Sequence, residues 1–240
     1  QIHKKIKTEP GKDLFFVIDD TITTVTGKLV ESASYIYDHA TGQTVLGFQK
    51  LILGLFNGSH FIPISNRICP GKKRPVAKSK AKIYNTIPKS QRIHSESPGA
   101  NERKDMDDTK LNKAISMLKT AQRKGFNATT IMFDSWYSFN SFIIKLVELL
   151  HLHVICQLKN LPKANQYIYQ GKSYSLKELF NYYGKIKLRM VKKYQFKRSC
   201  LIVSLTKSKV KMKIVFVLNN GEKNGMPSLQ PTRNCPPGKY

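Results

Sequence analysis

Apolar positions along the chain fall into short runs that switch between a two-residue and a helical period. Leu14–Asp19 is almost continuously apolar and ends in acids, as expected for a strand buried on both faces. Tyr35–Tyr37, Thr44–Phe56 and His60–Arg67 are rich in β-branched and aromatic residues. Gly42 and the Asn57-Gly58 pair punctuate them as hairpin turns, so consecutive antiparallel strands are predicted. A helix follows, capped by Asp107 or Asp108, with Leu111, Ala114, Ile115 and Leu118 as its apolar stripe and Gly125 at its end. Ala128–Phe133 reads as a second buried strand closed by Asp134. Phe139, Phe142, Ile143, Leu146, Leu149 and Leu150 then mark an amphipathic helix, and Val154–Leu158 a further strand.

Toward the C-terminus the pattern changes. Ser175 and Glu178 form a capping-box pair opening a short helix that Gly184 closes. Lys185–Tyr194, Cys200–Leu205 and Val210–Leu218 alternate lysine with apolar residues and read as three strands. From Asn219 onward, four Pro, three Gly and four Asn leave no periodicity, so little core is expected there. Phe142–Leu152, among the longest apolar stretches, is interrupted by Lys145, Glu148 and His151, so no membrane span is predicted.

Charge then redirects the reading. Across 240 residues, 41 Lys plus Arg face 15 Asp plus Glu, a formal net charge of +26 that points to a polyanionic partner. A hydrophobic content of 40% excludes a disordered basic tail. Residues 70–104 hold ten Lys or Arg, two Glu and four Pro, a long basic loop in which Lys72-Lys73-Arg74 is either a solvated run or a phosphate contact. Residues 1–13, charged and containing Pro10-Gly11, read as a linker. Cys69, Cys156, Cys200 and Cys235 are too dispersed for a zinc site and read as reduced thiols. With no apolar signal segment behind the first lysines, a cytoplasmic, nucleoid-associated protein is expected.

The order of strands and helices, with acids closing the Leu14–Asp19 and Ala128–Phe133 segments, is the layout of a ribonuclease H-like domain. Carboxylates on strand ends suit hard divalent cations, and a pair of such ions suits phosphoryl transfer. Val17-Ile-Asp-Asp-Thr21, Gly27-Lys28, Tyr37-Asp-His39 and Gly47, with Phe133-Asp-Ser-Trp-Tyr137 and Gln157-Leu-Lys-Asn160, resemble bacterial insertion-sequence transposases of the DDE type. The resemblance covers roughly residues 14–218. In that family the first catalytic Asp directly precedes a Thr, which corresponds to Asp20 rather than Asp19; the second corresponds to Asp134. The resemblance therefore implies two Mg²⁺ (or Mn²⁺) ions held by Asp20 and Asp134, double-stranded DNA (transposon ends and target) as substrate, and a homodimer in a synaptic complex.

The family's third acid lies in a Tyr-x2-Arg-x3-Glu-x6-Lys pattern that this sequence lacks: Arg189 is followed by Lys193 where the glutamate should stand. The expected organisation is an α/β ribonuclease H-like mixed sheet flanked by helices over 14–160, a β-rich insertion over 161–218, and an irregular tail over 219–240. The resemblance thus suggests an incomplete transposase that ends before its glutamate helix. Among other acids, Glu178 reads as a capping partner, Glu148 as a solvated helix charge beside Lys145, and Asp38 as a turn cap next to His39. His151 and His153 are expected to share a strand face without a third ligand. Trp136 and Tyr137 read as core aromatics that alternatively pack against DNA. Two further readings stay open: a non-catalytic basic nucleic-acid-binding protein, and a ribonuclease H-like nuclease with another substrate.

Overall fold

The computed structural model describes residues 13–26, 30, 33–71, 108–219 and the backbone of 228–230. The linker, Gly27-Lys28, Lys72–Arg74 with the rest of the 72–104 loop, Asp107 and Cys235 lie outside the described residues. The chain divides into two compact units, one of residues 18–55 and 61–126, the other of residues 1–17, 56–60 and 127–240.

The first of these units contains most of β1 (Phe15–Thr24), β2 (Ser34–Asp38), β3 (Gln43–Phe56), β4 (Phe61–Cys69) and helix α1 (Lys110–Arg123). Its strands are ordered β2-β3-β1, with β4 also on β3. The β2–β3 hairpin is antiparallel, from Ser34 opposite Gly47 to Asp38 opposite Gln43. Gly42 makes its turn at φ +69°, a left-handed conformation that costs glycine nothing. β1 does not end at its acids: it runs on through Thr24. The β-branched Thr21-Ile-Thr-Thr24 sequence sustains the extended backbone past the Asp pair.

Helix α1 begins one residue later than an Asp108 cap predicts and two later than an Asp107 cap. Thr109 is the N-cap, its hydroxyl accepting the Asn112 N–H at 3.2 Å, while the Asp108 carboxylate takes the Thr109 N–H at 2.8 Å. The helix buries Lys113, Ala114, Ile115, Met117, Leu118 and Ala121, and packs against β4. Gly125, at φ +82°, terminates it.

In the other unit the order continues from the start of β1 through β5 (Thr130–Phe133) to β6 (His153–Cys156), and β5 and β6 are parallel. The connection between them is helix α2 (Asn140–Ile144), continued by a wider π turn over Lys145–Leu149. The result is a mixed sheet with few helices, compatible with the ribonuclease H-like expectation.

A second, six-stranded sheet follows in the same unit, ordered β12-β11-β10-β7-β8 with β9 on β10. It comprises β7 (Tyr167–Tyr169), β8 (Lys172–Tyr174), β9 (Arg189–Val191), β10 (Phe196–Leu205), β11 (Lys211–Asn219) and β12 (Ser228–Gln230), with helix α3 (Leu176–Leu179) after β8. Residues 199, 201, 203 and 205 of β10 are buried and alternate with outward positions, the two-residue period that sets register. Leu201 lies opposite Ile214 and Val203 opposite Met212, while Phe180 stacks on Phe216 at 5.2 Å. The single strand expected over Lys185–Tyr194 is reduced to β9, because the chain turns helically on both sides of it. β12 shows that the tail does pair with the sheet at one point. Among the described residues no helix is long and apolar enough to cross a membrane.

Candidate functional site

On β1, Phe16, Ile18 and Asp20 share one side, by the two-residue period of a strand. Phe16 and Ile18 are fully buried and Asp20 is partly so, whereas Asp19 faces solvent on the opposite side. Asp19 still serves its neighbour, because its Oδ1 accepts the Asp20 N–H at 2.8 Å. Asp20 therefore sits in mid-strand on the inward row, not at a strand end.

Its carboxylate meets a cation from α1. Lys110 Nζ lies 3.2 Å from Asp20 Oδ1, with side-chain exposures of 10% and 18% for lysine and aspartate. One turn on, Lys113 is 3% exposed and donates from Nζ to the Ile68 carbonyl at 2.7 Å. Cys69, at the end of β4, shares these surroundings. Burial pushes its thiol pKa up, and the charges of Lys113 and Lys110 oppose that rise in part. Asp20 and Lys110 thus form an ion pair under β1, with Lys113 and the neutral Cys69 thiol in the same surroundings. The sequence carries a signal for it: Lys110 and Lys113 fall on the same helical face as Ala114 and Met117.

Asp134 stands where it was expected, directly after β5. It is exposed and is the N-cap of the short 3₁₀ turn Ser135–Tyr137, its carboxylate accepting the Trp136 N–H at 3.0 Å. Asp20 and Asp134 belong to different compact units. Among the described residues, no three His, Cys, Asp or Glu side chains gather as a metal cluster. Mg²⁺ does not require one, since it commonly binds through one or two carboxylates and completes its shell with water and phosphate oxygens. The oxygen donors of Asp20 and Asp134 are of the right kind for it.

The other acids have local partners. Asp38 accepts from the Ala40 N–H at 2.9 Å and the Thr41 hydroxyl at 3.0 Å; the Ala40 bond, followed by the hydroxyl, holds its pKa below the usual value. Glu178 completes the capping box by accepting the Ser175 N–H at 2.7 Å, which likewise lowers its pKa. Glu148 is more than a solvated charge, since it accepts the Ser208 hydroxyl at 2.6 Å. His151 and His153 do not share a strand face: His151 adopts a left-handed φ of +53° before β6 begins. Tyr137 is fully buried as expected of a core aromatic, but Trp136 is 43% exposed.

Residues 2–164 match the family described as DDE superfamily endonuclease. The chain belongs to that family. The matched range contains Asp20, Lys110, Lys113 and Asp134, and stops before the second sheet. No curated protein matches the sequence at a significant level. Membership supports nuclease- or transposase-type chemistry and a DNA substrate.

Proposed function

We propose that this DDE superfamily endonuclease is the catalytic region of a DNA transposase. In this reading, residues 14–160 form the catalytic core and residues 161–218 a β-rich insertion within it. Asp20 and Asp134 would hold the divalent cations, Mg²⁺ or Mn²⁺, which supply Lewis-acid activation for phosphoryl transfer. The single observation that carries the reading is the family match over residues 2–164, spanning an inward Asp on β1 and an Asp immediately after β5.

The chain's own residues have distinct tasks in this scheme. Asp20 is fixed by strand pairing and neutralised by Lys110, so its carboxylate is held in one place. Asp134 is oriented by the Trp136 N–H and stays open to solvent, where a DNA phosphate can approach. The outward face of β10 and β11 adds Arg198, Lys211 and Lys213, which suit non-specific contact with the phosphate backbone. The 240 residues contain no third acid in the Tyr-Arg-Glu-Lys pattern, so DNA and cation binding are expected to exceed strand cleavage.

The test combines Mn²⁺ binding, followed by electron paramagnetic resonance, with nicking of supercoiled DNA. The wild-type chain should bind Mn²⁺ and lose that binding in Asp20→Asn and in Asp134→Asn. A chain that binds no Mn²⁺, or that nicks DNA equally well with both substitutions, would overturn the proposal. Salt-sensitive DNA binding indifferent to Mn²⁺ and to both substitutions would instead favour a non-catalytic nucleic-acid-binding protein.

A further inference from the structure

Trp136 departs from what its surroundings predict. The indole follows Asp134 by two residues, inside an aromatic cluster, and is nonetheless 43% exposed while Tyr137 beside it is fully buried. It is not loosely held. Its ring packs edge-to-face on Tyr137 at 4.8 Å and on Phe139 at 6.4 Å, and Phe133 and Phe142 flank Tyr137 in turn. Its backbone N–H is bound by the Asp134 carboxylate. A large ring anchored on buried Tyr137 and half-buried Phe139 and left half in water presents a rigid apolar surface.

The segment beneath it is stitched together. Ser138 is buried; its hydroxyl accepts the Lys159 N–H at 3.1 Å and its carbonyl accepts from the Asn165 side chain at 2.7 Å. Asn140 returns the link, donating its N–H to Asn165 Oδ1 at 3.0 Å and its side-chain amide to the Gln166 carbonyl at 2.9 Å. These bonds tie the loop after β5 to the loop after β6, at the carboxyl ends of two parallel strands, where open α/β sheets commonly receive ligands. Lys159, whose backbone is part of this seam, carries an exposed side chain, as does Lys163.

We propose that Trp136 is a stacking platform for an unpaired DNA base, seated beside Asp134 with Lys159 close enough to the strand to meet its phosphates. The ligand chemistry follows from the pairing of an exposed, immobilised ring with nearby cations: a planar base for the first and an anionic backbone for the second. The base must be unpaired, because both faces of a base within a duplex are already covered by its neighbours. Trp136 then acts by positioning, holding a distorted strand against Asp134, and this inference rests on the DNA-directed reading above.

The protein carries its own probe, since Trp136 is its single tryptophan. Titration with a fluorescein-labelled oligonucleotide bearing a single-stranded overhang should raise dye anisotropy. The unlabelled form should quench Trp136 fluorescence, and a blunt duplex of equal length should quench far less. Trp136→Leu should weaken binding of the overhang DNA about 5- to 150-fold, the range typical of losing one base–aromatic stack, and leave blunt-duplex affinity within about twofold. Trp136→Phe, with a smaller ring, should fall between. If overhang DNA binds without quenching, or Trp136→Leu weakens both DNAs equally, the stacking role is wrong while DNA binding stands. If neither DNA binds, the functional reading fails with it.

Discussion

The Asp20–Lys110 pair offers the most direct test of the cluster under β1. At 3.2 Å, opposite unit charges attract by about 5 kcal/mol at an effective dielectric near 20, and by about 1.3 kcal/mol in bulk water. With exposures of 18% and 10%, the pair lies between these limits, and the cost of desolvating both groups removes much of the gain. A coupling energy of about 1–2 kcal/mol is expected, above the ~0.2–1 kcal/mol typical of exposed pairs. The assay is a double-mutant cycle of Asp20→Asn, Lys110→Met and their combination, each unfolded in urea and followed by circular dichroism. Coupling below about 0.5 kcal/mol would refute the assignment of a partly buried, stabilising pair. The same Lys110→Met protein should bind Mn²⁺ several-fold more tightly if Asp20 is a cation ligand, because the resident ammonium no longer competes. Unchanged Mn²⁺ affinity would separate the pair's structural role from any role in metal binding.

Four other predictions concern positions outside that pair. A Cβ at Gly47 would run into the Thr23 carbonyl, so Gly47→Ala should destabilise the chain by about 1–3 kcal/mol; an unchanged urea midpoint would refute the close approach of β1 and β3. Ser175→Ala should cost about 1 kcal/mol through loss of the α3 cap. Glu178 has a folded pKa held low by the Ser175 N–H, so its stabilising contribution is present above its unfolded value near 4.5 and is lost as pH falls through the lower folded value. Glu178→Gln should therefore flatten the acid limb of a stability–pH curve, and an unchanged limb would count against the capping box. In thiol labelling of the native protein, Cys200 should react quickly while buried Cys69 and Cys156 lag until denaturant is added; equal rates for Cys69 and Cys200 would contradict the burial of Cys69.

What the sequence disclosed, and what it hid, follows the range of the interactions. Gly42, the Ser175–Glu178 box and the α1 stripe are local devices, each complete within one or two turns, and each stands where the pattern put it. The cap falls on Thr109 rather than on Asp107 or Asp108, because the Thr109 hydroxyl takes the Asn112 N–H while Asp108 takes the Thr109 N–H and supports the cap. The three-residue strands β7, β8 and β9 carry too few positions to show a period; their pairing to each other and to β10 supplies what propensity does not. Of the candidate site, the identities Asp20 and Asp134 were legible as motif residues, but the cation beside Asp20 was not. Lys110 lies about ninety residues further along the chain and reaches it only because α1 packs against β4 in the same unit.

The net charge of +26 takes on a more specific meaning as a result. Not all of the 41 basic side chains are available to a polyanion. Lys113 is spent inside the unit on a backbone carbonyl, and Lys110 on a carboxylate. Among the described residues, β10, β11 and the loop after β6 each carry exposed lysines or arginines that a DNA contact can draw on. Diffuse positive charge attracts any nucleic acid and does not choose a position on it. In the proposed reading, placement of the strand then has to come from groups with geometry, and among the described residues beside Asp134, Trp136 is both immobilised and exposed. Raising salt should therefore weaken overall DNA affinity while sparing the ratio between overhang and blunt-duplex binding, because stacking does not depend on counterion release. A ratio that collapses with salt would return the whole of DNA recognition to charge.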